Sequence, residues 1–312
     1  MAASTDRPRI ILDCDPGHDD AVAIVVAARH ADLLGITTVG GNAPLERTTY
    51  NARVMRDLLD VDLPVHSGAD RPLVEPLVTG PAAHGVSGLD GADLPPPHRP
   101  LDGTDAVGFI VETCRAAEGT WLVGVGPLTN IAVALRAAPD LAARLAGISI
   151  MGGGAFGNRT PVAEYNIWAD PEAGAAVFAS GVPMVMAGLD LTHQLLATPA
   201  RIEAVRRQPG ALAAVLADLF GFYAAGYRER DPSMAGAAVH DPCAVLALTH
   251  PALFERAALH VAVETAGRLT RGMTVIDRRT ASDRPAANCD VLTRIDADAA
   301  WAVIVDAIAS YG

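Results

Sequence analysis

Short, wholly apolar segments alternate with amphipathic stretches over the first two thirds of the chain, and this alternation restricts the fold more than any other feature. The pattern predicts strands over 9–12, 33–39, 120–125, 147–151 and 182–187. It predicts helices over 19–31, 46–59, 105–117, 129–138 and 171–179. Apolar strands separated by helices of this length are typical of a parallel sheet covered on both faces. The sequence therefore predicts an α/β fold with a mostly parallel central sheet flanked by helices.

The last third of the chain has a different pattern. From about residue 198 it becomes Ala-rich and helical, with a small β addition expected around 258–277 and a helix from residue 296. No internal repeat, charge block or Ser-rich linker divides the 312 residues, a length that fits one or two domains. We expect a single domain over 1–312 with a helical C-terminal part.

Composition and charge exclude several classes of protein. Apolar residues make up 50% of the chain and charged residues 19%, which excludes intrinsic disorder. The net charge of −12 argues against binding to nucleic acid or to an anionic membrane. A neutral or cationic small molecule, or a bound metal ion, is the better expectation.

The cysteines and the N-terminal residues bear on location. The four cysteines lie far apart without a CxxC pair, and a chain of this size seldom needs a disulfide framework. The first nine residues are polar and lack the pattern of a signal peptide, and no uncharged stretch has the roughly 20 apolar residues of a membrane helix. We expect a cytoplasmic protein.

Polar or Gly-rich segments follow four of the predicted strands. In chain order their sequences are DCDPGHDD, GGN, GVGPLTN and GGGAFGN. Ligands of open α/β sheets bind outside the carboxyl ends of the strands. We therefore expect the four segments to converge on one rim and to form the functional site there.

The first of these segments, residues 13–20, holds four carboxylates within eight residues. Asp19 and Asp20 fall in the first turn of a predicted helix, where acids are favoured. Helix capping does not explain Asp13 and Asp15 as well, because crowded carboxylates repel one another unless a cation or protons intervene. Oxygen ligands without a Cys/His cluster indicate calcium or magnesium rather than zinc.

Further polar residues extend the candidate site. Asp241 in VHDP places another carboxylate at a predicted helix start, beside His240. Amides and one further carboxylate are offered by Asn42, Asn158, Asn166 and Glu164. An amide both donates and accepts hydrogen bonds and so suits the vicinal hydroxyls of a sugar. Each of these residues alone is as typical of a turn or a cap, and Met151 is more typical of the core. Their combination with residues 13–20 favours a binding site.

Residues 71–100 hold seven prolines and four glycines around His84. The segment is too long and too irregular for an ordinary connection between two elements. Two interpretations remain open from the sequence: a functional flap over the site, or a surface loop.

Taken together, these residues resemble the inosine–uridine-preferring nucleoside hydrolases, over nearly the whole chain. The resemblance rests on DCDPGHDDAVAI, TTVGGN, HGVSG, GPLTNIA, MGGG, VAEYNIWADPEA, GLDLTHQ and VHDPCAV, in that order. It implies one nucleoside hydrolase-like catalytic domain over 1–312, with one Ca²⁺ per chain. Water activated at the ion would hydrolyse the N-glycosidic bond of a ribonucleoside, giving ribose and the free base.

The resemblance also implies roles for the matching residues. Asp15 would take the proton of the attacking water, and His240 would face the leaving base. The metal ligands would be Asp15, Asp20, Asp241 and the backbone carbonyl of Thr129. The substrate would be held by Asp19, Asn42, His84, Met151, Asn158, Glu164, Asn166 and Tyr227. Tyr223 is an alternative to Tyr227 as the contact to the base.

The expected chemistry agrees with this division. Cleavage passes through an oxocarbenium-like state, whose positive charge an acidic pocket stabilises. The base leaves as an anion unless a group donates a proton to it, and a histidine is suited to that task. Since none of the three tryptophans falls on a loop expected near the base, the enzyme would belong to the inosine/uridine or pyrimidine group rather than the purine-specific one. The family further implies nucleoside salvage and a homo-oligomer, a dimer or tetramer.

Two other classes fit part of the pattern. A magnesium phosphatase of the haloacid dehalogenase type also begins with a strand and DxD, but here Pro16 and Gly17 follow and no basic residue is placed for a phosphate. A non-catalytic nucleoside- or ribose-binding protein of the same fold would keep the pocket and lose Asp15 or another metal acid. Those acids are present in this chain.

Overall fold

A computed structural model describes residues 7–312, except for the side chains of residues 81 and 82. The strands are β1 (Arg9–Cys14), β2 (Asp32–Thr38), β3 (Val65–Ser67), β4 (Trp121–Gly124), β5 (Gly147–Met151), β6 (Met184–Ala187), β7 (Leu196–Ala197), β8 (Ala237–Ala238), β9 (Phe254–Val263), β10 (Thr274–Asp277) and β11 (Cys289–Ile295). The α-helices are α1 (His18–His30), α2 (Leu45–Leu59), α3 (Pro81–His84), α4 (Ala106–Ala116), α5 (Thr129–Ala137), α6 (Tyr165–Ala169), α7 (Pro171–Phe178), α8 (Leu189–Thr192), α9 (Pro199–Arg206), α10 (Ala211–Arg230), α11 (Pro242–Thr249) and α12 (Ala297–Ala309). Two short 3₁₀ helices cover Pro139–Ala143 and Pro251–Leu253.

Nine strands form one central sheet in the order β10-β9-β11-β6-β5-β4-β1-β2-β3. The strands from β11 to β3 are parallel, and β9 and β10 add antiparallel pairings at one end. The chain leaves β1 towards β2 and later returns to place β4 on the other side of β1. Such a reversal opens a crevice at the carboxyl ends of the strands, where ligands bind. The segment after β1 therefore lies at the topological switch point.

Helix α1 is the most deeply buried element beside the sheet. Its residues 18–27 are all buried, and it packs against α10, α11 and α12. A helix that is apolar on all sides after its first turn is stable only when it is surrounded by protein. Because Asp19 and Asp20 of DCDPGHDD lie in that first turn, the fold carries them into the interior with the helix.

The predicted α/β class and the mostly parallel sheet are confirmed, and β5 has the predicted bounds. The C-terminal part is helical as predicted, with α9 to α12 after residue 198, and β9 and β10 overlap the expected β addition. The addition is larger than expected, because β9 and β11 continue the central sheet and β11 pairs in parallel with β6. From residue 256 the exposure along β9 largely alternates, with 257, 259, 261 and 263 less exposed than 256, 258 and 262. This local pattern indicates a strand, but its pairing partners in the central sheet are set by tertiary packing.

Two further features concern the whole chain. In the part that the structure describes, no helix is both long enough and apolar enough to cross a membrane. All four cysteines are free and buried. The fold is therefore held together without a disulfide bond between them.

Candidate active site

A cavity of about 620 Å³ lies at the carboxyl ends of the central strands. Each of the four segments that follow β1, β2, β4 and β5 contributes to its wall, through Asp19, Asn42, Val125 and Asn158. The predicted convergence on one rim is thus present in the structure. The switch point of the sheet and the polar segments coincide here.

Three buried carboxylates meet on one side of this cavity. Asp19 and Asp20 lie in the first turn of α1, and Asp241 immediately precedes α11. One ligand oxygen from each lies within 4.8 Å of the others. The backbone N–H of His240 donates to Asp19 at 3.2 Å. Packing of α11 against α1 therefore brings together acids that are more than 200 residues apart in the sequence.

Asp15 adjoins this cluster and is held by the segment after β2. The backbone N–H of Asn42 donates to Asp15 Oδ2 at 2.6 Å. The amide of Asn42 donates to the backbone carbonyl of Asp15 and to Asp20 Oδ2, each at 3.1 Å. A Cβ on Gly41 would lie 2.0 Å from Asp15 Oδ2, so only glycine fits beside this carboxylate. Asp15 Oδ1 is buried without a hydrogen-bond partner among the described residues.

Burial and mutual repulsion raise the pKa values of the four carboxyl groups. Burial, followed by the charge of Asp20, raises the pKa of Asp19 to about 8 and that of Asp15 well above its usual range. Burial and then Asp19 do the same to the pKa of Asp241. Burial also raises the pKa of Asp20, against hydrogen bonds from the backbone of Gly17 and Asp15. The cluster therefore needs protons or a cation to offset its charge.

The donor set fits a hard divalent cation. The candidate ligand atoms of Asp19, Asp20 and Asp241 are all oxygens. Asp15, which is predicted as a ligand, adjoins this cluster, and its Oδ1 has no hydrogen-bond partner in the described structure. Oxygen-only sites of this kind suit calcium or magnesium, and no cysteine or histidine is among the three clustered side chains. The cluster can therefore hold a metal ion.

Opposite the acids, one wall is built from Glu164, Asn166 and Met151. Glu164 caps α6: its carboxylate accepts from the backbone N–H groups of Asn166 and Gly153, both at 2.9 Å. Burial raises the pKa of Glu164 to about 7 in spite of these donors. The amide of Asn166 donates to the carbonyl oxygens of Val125 at 2.9 Å and of Met151 at 3.2 Å. The exposed Asn158 accepts from the N–H of Tyr165 at the edge of this wall.

A second wall carries histidine and tyrosine side chains. His240 Nε2 lies 2.7 Å from the hydroxyl of Tyr227, and its Nδ1 lies 2.7 Å from the hydroxyl of Thr192. Burial lowers the pKa of His240 to about 3, which favours the neutral imidazole. The ring of Tyr223 packs at 5.1 Å against Tyr227 and at 5.2 Å against His84. Both tyrosines considered from the sequence thus line the cavity, and Tyr227 is the one that contacts His240.

The irregular segment 71–100 forms part of the wall. His84, at the end of α3, lines the cavity together with Thr79, Gly80 and Ala83. The N–H of Leu73 donates to Asp170 at 2.9 Å, which ties the start of the segment to the first turn of α7. The part of the segment around His84 is therefore packed against the site, whereas most of residues 73–78 are exposed.

Three predicted site residues do not line the cavity themselves: Asp15, Asp20 and Thr129. Asp15 and Asp20 are fully buried beside it, and each accepts a hydrogen bond from the lining residue Asn42. Thr129 begins α5, and its hydroxyl donates to Asp170 at 2.7 Å. Val125, four residues earlier, does line the cavity. The sequence pattern includes Val125 in the predicted strand 120–125, whereas β4 ends at Gly124 and makes Val125 the first residue after the strand.

His18 is a residue whose part in the site the sequence did not reveal. It is 1% exposed, and its Nδ1 lies 3.1 Å from Nδ1 of His84. Its position in the first turn of α1 could have indicated proximity to the acids. The approach of His84, which comes from a loop 66 residues later, has no sequence signal.

Fold and site together define an α/β protein that holds a metal-competent carboxylate cluster at the switch point of its sheet. The model of the family described as "Inosine-uridine preferring nucleoside hydrolase" matches residues 10–302. The pyrimidine-specific ribonucleoside hydrolase RihA of Shewanella sp. (strain MR-4) is 42% identical over 98% of this chain and 97% of its own. RihB of Escherichia coli O1:K1 / APEC, with the same description, is 40% identical over 98% of both chains.

Solved structures agree with these matches. A purine-preferring ribonucleoside hydrolase from Gardnerella vaginalis superposes with a TM-score of 0.91 at 31% identity, over 97% of this chain and 98% of that one. An inosine-guanosine nucleoside hydrolase gives a TM-score of 0.87 at 30% identity, over 96% and 98%. The chain belongs to the inosine–uridine preferring nucleoside hydrolase family. The expectation of a nucleoside N-ribosyl hydrolase is thereby confirmed.

Proposed function

We propose that this chain is a calcium-dependent hydrolase that releases ribose and the free base from ribonucleosides. The observation that carries the proposal is the buried group of Asp15, Asp19, Asp20 and Asp241, which adjoins the His240–Tyr227 pair at one cavity. The carboxylates offer negative charge to a sugar cation, and the pair offers a proton to a leaving base. N-glycosidic hydrolysis needs both.

Asp15, Asp20 and Asp241 would hold the calcium ion through their carboxylate oxygens. In place of Thr129, the backbone carbonyl of Val125 supports the site better, because Val125 lines the cavity and Thr129 does not. When bound, calcium supplies positive charge that makes a neighbouring water easier to deprotonate. Calcium is favoured over magnesium because a cluster of rigid, buried carboxylates leaves little room for the waters that magnesium retains.

Asp15 takes up the proton of the attacking water. The hydrogen bond from Asn42 at 2.6 Å fixes one oxygen of its carboxylate, and the other has no partner among the described residues. A carboxylate that is oriented in this way keeps one lone pair free for a proton. The nearby Asp19 accepts from the His240 backbone through Oδ2, which leaves its other oxygen for a ribose hydroxyl.

The ribose lies between the acids and the wall of Met151, Glu164 and Asn166, with Asn42 and Asn158 at its edges. Glu164 and the amide nitrogen of Asn166 are held by the protein backbone, so their remaining acceptor oxygens are preorganised. Preorganised acceptors orient the sugar and stabilise the positive charge that develops on it. This supports the substrate-binding roles that the resemblance implies for these residues.

The His240–Tyr227 pair donates the proton that the leaving base requires. The 2.7 Å contact allows a proton to be held between the imidazole and the phenol, beside the space for the base. Burial favours the neutral form of His240, but negative charge on a departing base would favour a proton on it. Tyr223 and His84 close the same side, and we assign them contacts to the base.

Uridine fits both the description of the relatives and that of the family. The relatives RihA and RihB are described as pyrimidine-specific, and the family is described by inosine and uridine. We therefore propose a preference within the inosine/uridine or pyrimidine group and a role in nucleoside salvage. A single catalytic domain over 1–312, a cytoplasmic location and a homo-oligomeric state belong to the same proposal. The free cysteines agree with a reducing compartment.

The experiment is a ribose-release assay on uridine, cytidine, inosine, adenosine and guanosine, before and after chelation. We expect release from uridine, its loss on chelation, and recovery on addition of calcium. A non-catalytic binding protein would instead bind uridine, as seen by calorimetry, without releasing ribose. Recovery with magnesium but not with calcium would contradict the choice of metal.

A further inference from the structure

We propose that His18 is a positioning residue that fixes which ring nitrogen of His84 carries the proton. As a result, Nε2 of His84 presents a hydrogen-bond acceptor to the nucleobase. The proposal rests on the nucleoside hydrolase function and specifies its substrate class: bases with a ring N–H on the edge that faces His84, such as uracil and hypoxanthine.

A chain of three contacts carries the inference. His18 Nε2 lies 2.9 Å from the backbone carbonyl oxygen of Asp90. The other ring nitrogen of His18, Nδ1, lies 3.1 Å from Nδ1 of His84. In the described part of the chain nothing makes a hydrogen bond to His84 Nε2, while His84 lines the cavity. The contacts therefore run from a backbone carbonyl, through two imidazoles, to the substrate space.

The direction of these hydrogen bonds follows from the carbonyl. A carbonyl oxygen accepts but cannot donate, so His18 Nε2 must carry its proton. A neutral imidazole has one N–H, which leaves His18 Nδ1 as an acceptor. Its partner, Nδ1 of His84, must then be the donor. The remaining nitrogen of His84, Nε2, is consequently bare and accepts from the ligand.

A competing arrangement is electrostatically unfavourable. The backbone N–H of His18 lies 3.3 Å from His84 Nδ1, and it could donate if that nitrogen were bare. His18 Nδ1 would then need the proton, and a neutral His18 would turn a bare Nε2 towards the Asp90 carbonyl at 2.9 Å. Two lone pairs would face each other in a buried place, at the cost of an unmade hydrogen bond. The proposed arrangement leaves a different hydrogen bond unmade, the one from the His18 backbone N–H at 3.3 Å. The contact between the two rings is made in both arrangements, so the shorter contact of His18 Nε2 with the Asp90 carbonyl, at 2.9 Å, decides between them.

The geometry is held by packing. The ring of His18 is stacked with Tyr223 at 5.1 Å and with Phe222 at 5.4 Å. A Cβ on Gly17 would lie 2.5 Å from His84 Nδ1, so the glycine of the DPGH sequence lets His84 approach. These contacts restrict the rotation of both rings and so hold the orientation of their nitrogens.

His84 lies on the side of the cavity that we assign to the base. Its ring stacks with Tyr223 at 5.2 Å, and Tyr223 packs against Tyr227, whose hydroxyl contacts His240. An acceptor at this place pairs with the N3–H of uracil or the N1–H of hypoxanthine. The corresponding ring nitrogen of cytosine or adenine is itself an acceptor, and it would face the bare Nε2 of His84.

The first test reads the tautomers directly. In protein with ¹⁵N-labelled histidine, long-range ¹H–¹⁵N correlation spectra distinguish the two neutral forms, because protonated and bare ring nitrogens differ widely in ¹⁵N shift. Signals are assigned by their loss in His18→Phe and His84→Phe. We expect a proton on Nδ1 of His84 and on Nε2 of His18. A proton on Nε2 of His84 in the unsubstituted protein would overturn the proposal.

The second test measures the consequence for substrate choice. His18→Phe retains an aromatic ring between Tyr223 and Phe222 but removes both hydrogen bonds. We expect kcat/KM for uridine to fall about 5–10-fold, mainly through KM, and the His84 signal to lose its Nδ1 proton. Hydrolysis of 4-nitrophenyl riboside, whose leaving group has no N–H, should change less than about twofold, since no such hydrogen bond is lost.

A matched control substitutes the histidine at the other end of α1. His30→Phe removes a histidine of α1 that does not line the cavity, and it should alter neither the tautomer of His84 nor the ratio of the two activities. An unchanged ratio in His18→Phe would contradict the proposal. If the unsubstituted protein released ribose from neither substrate, the proposed function would fail, while the spectra would still decide the tautomers.

Discussion

Four aspartates determine what this molecule can do, and each of them is buried at a cost in solvation. The protein offsets part of this cost with backbone donors, such as the N–H of Asn42 to Asp15 and the N–H of His240 to Asp19. The remaining negative charge calls for a cation. A site that binds positive charge at rest is also suited to a sugar that becomes positive during bond cleavage.

Asp15→Asn removes the group that accepts the proton but nearly preserves the shape of the site. The amide can still accept from Asn42, so the fold should persist. We expect kcat for ribose release from uridine to fall about 10²–10⁴-fold, the usual contribution of a general base. The matched control is Asp306→Asn on the exposed side of α12, which should retain full activity. Wild-type turnover in Asp15→Asn would remove Asp15 from the mechanism.

His240→Phe should separate bond cleavage from protonation of the base. Loss of the 2.7 Å contact with Tyr227 leaves uracil to depart as an anion. We expect kcat for uridine to fall about 10²–10⁴-fold, whereas 4-nitrophenyl riboside, with a leaving group stable as an anion, should fall much less. Steady-state kinetics on both substrates provides the measurement. An equal fall in kcat for both substrates would show that His240 does not act on the leaving group.

Strands and helices bring these residues together in a way that was only partly visible in the sequence. The strands β1, β2, β4 and β5 and the polar residues after them follow from apolar runs and the rim rule. Thr129 was predicted as a ligand because it belongs to a matching motif, but it begins α5 with its hydroxyl directed to Asp170, and the structure places Val125, the residue after β4, at the cavity. The contact between His18 and His84 arises from tertiary packing, for which no local pattern exists.

Residues 79–84 are expected to become more ordered when the ribose site is filled. The hydroxyl of Tyr165 donates to the carbonyl oxygen of Val78 at 2.9 Å, and the N–H of Leu73 donates to Asp170. The chain is therefore anchored just before it reaches the cavity. Hydrogen exchange with and without a ribose-mimicking inhibitor should show slower exchange over 79–84. The strand β4 serves as the internal reference. Unchanged exchange over 79–84 would exclude ordering on binding.

The end of the same irregular segment is held by Asp57 of α2. Its carboxylate accepts from the N–H groups of His98 at 2.7 Å and Arg99 at 3.1 Å. Burial alone would raise the pKa of Asp57, but these donors and the Arg56 guanidinium lower it below its usual value. We expect Asp57→Asn to lower Tm by roughly 2–4 °C at pH 7.

The pH dependence of this effect follows from the depressed pKa of Asp57. The ionised carboxylate stabilises the fold at pH values above the unfolded pKa near 4, and this contribution is lost as pH falls through the lower folded pKa. Melting curves of both proteins should therefore converge on acidification below about pH 4. A difference in Tm that stays constant from pH 7 to pH 3 would rule out the carboxylate as its source. Ribose release at pH 7 should not change, because Asp57 does not line the cavity.

Across the whole molecule, the site joins parts of the chain that are distant in sequence. Asp20 and Asp241 are far apart in the sequence and meet only because α1 and α11 pack on the same sheet. An ion that binds the folded form and not the unfolded one stabilises the fold by mass action. Metal binding, stability and ribose release should therefore respond to the same carboxylates.

The most direct test is a calcium titration of the chelated protein in which bound ion and ribose release from uridine are followed together. We predict that activity returns in proportion to bound calcium and saturates at one ion per chain. Asp241→Asn should weaken both curves alike, and Asp306→Asn neither. Full ribose release from the chelated protein, or calcium bound at one per chain with no release from any ribonucleoside, would contradict a calcium-dependent hydrolase.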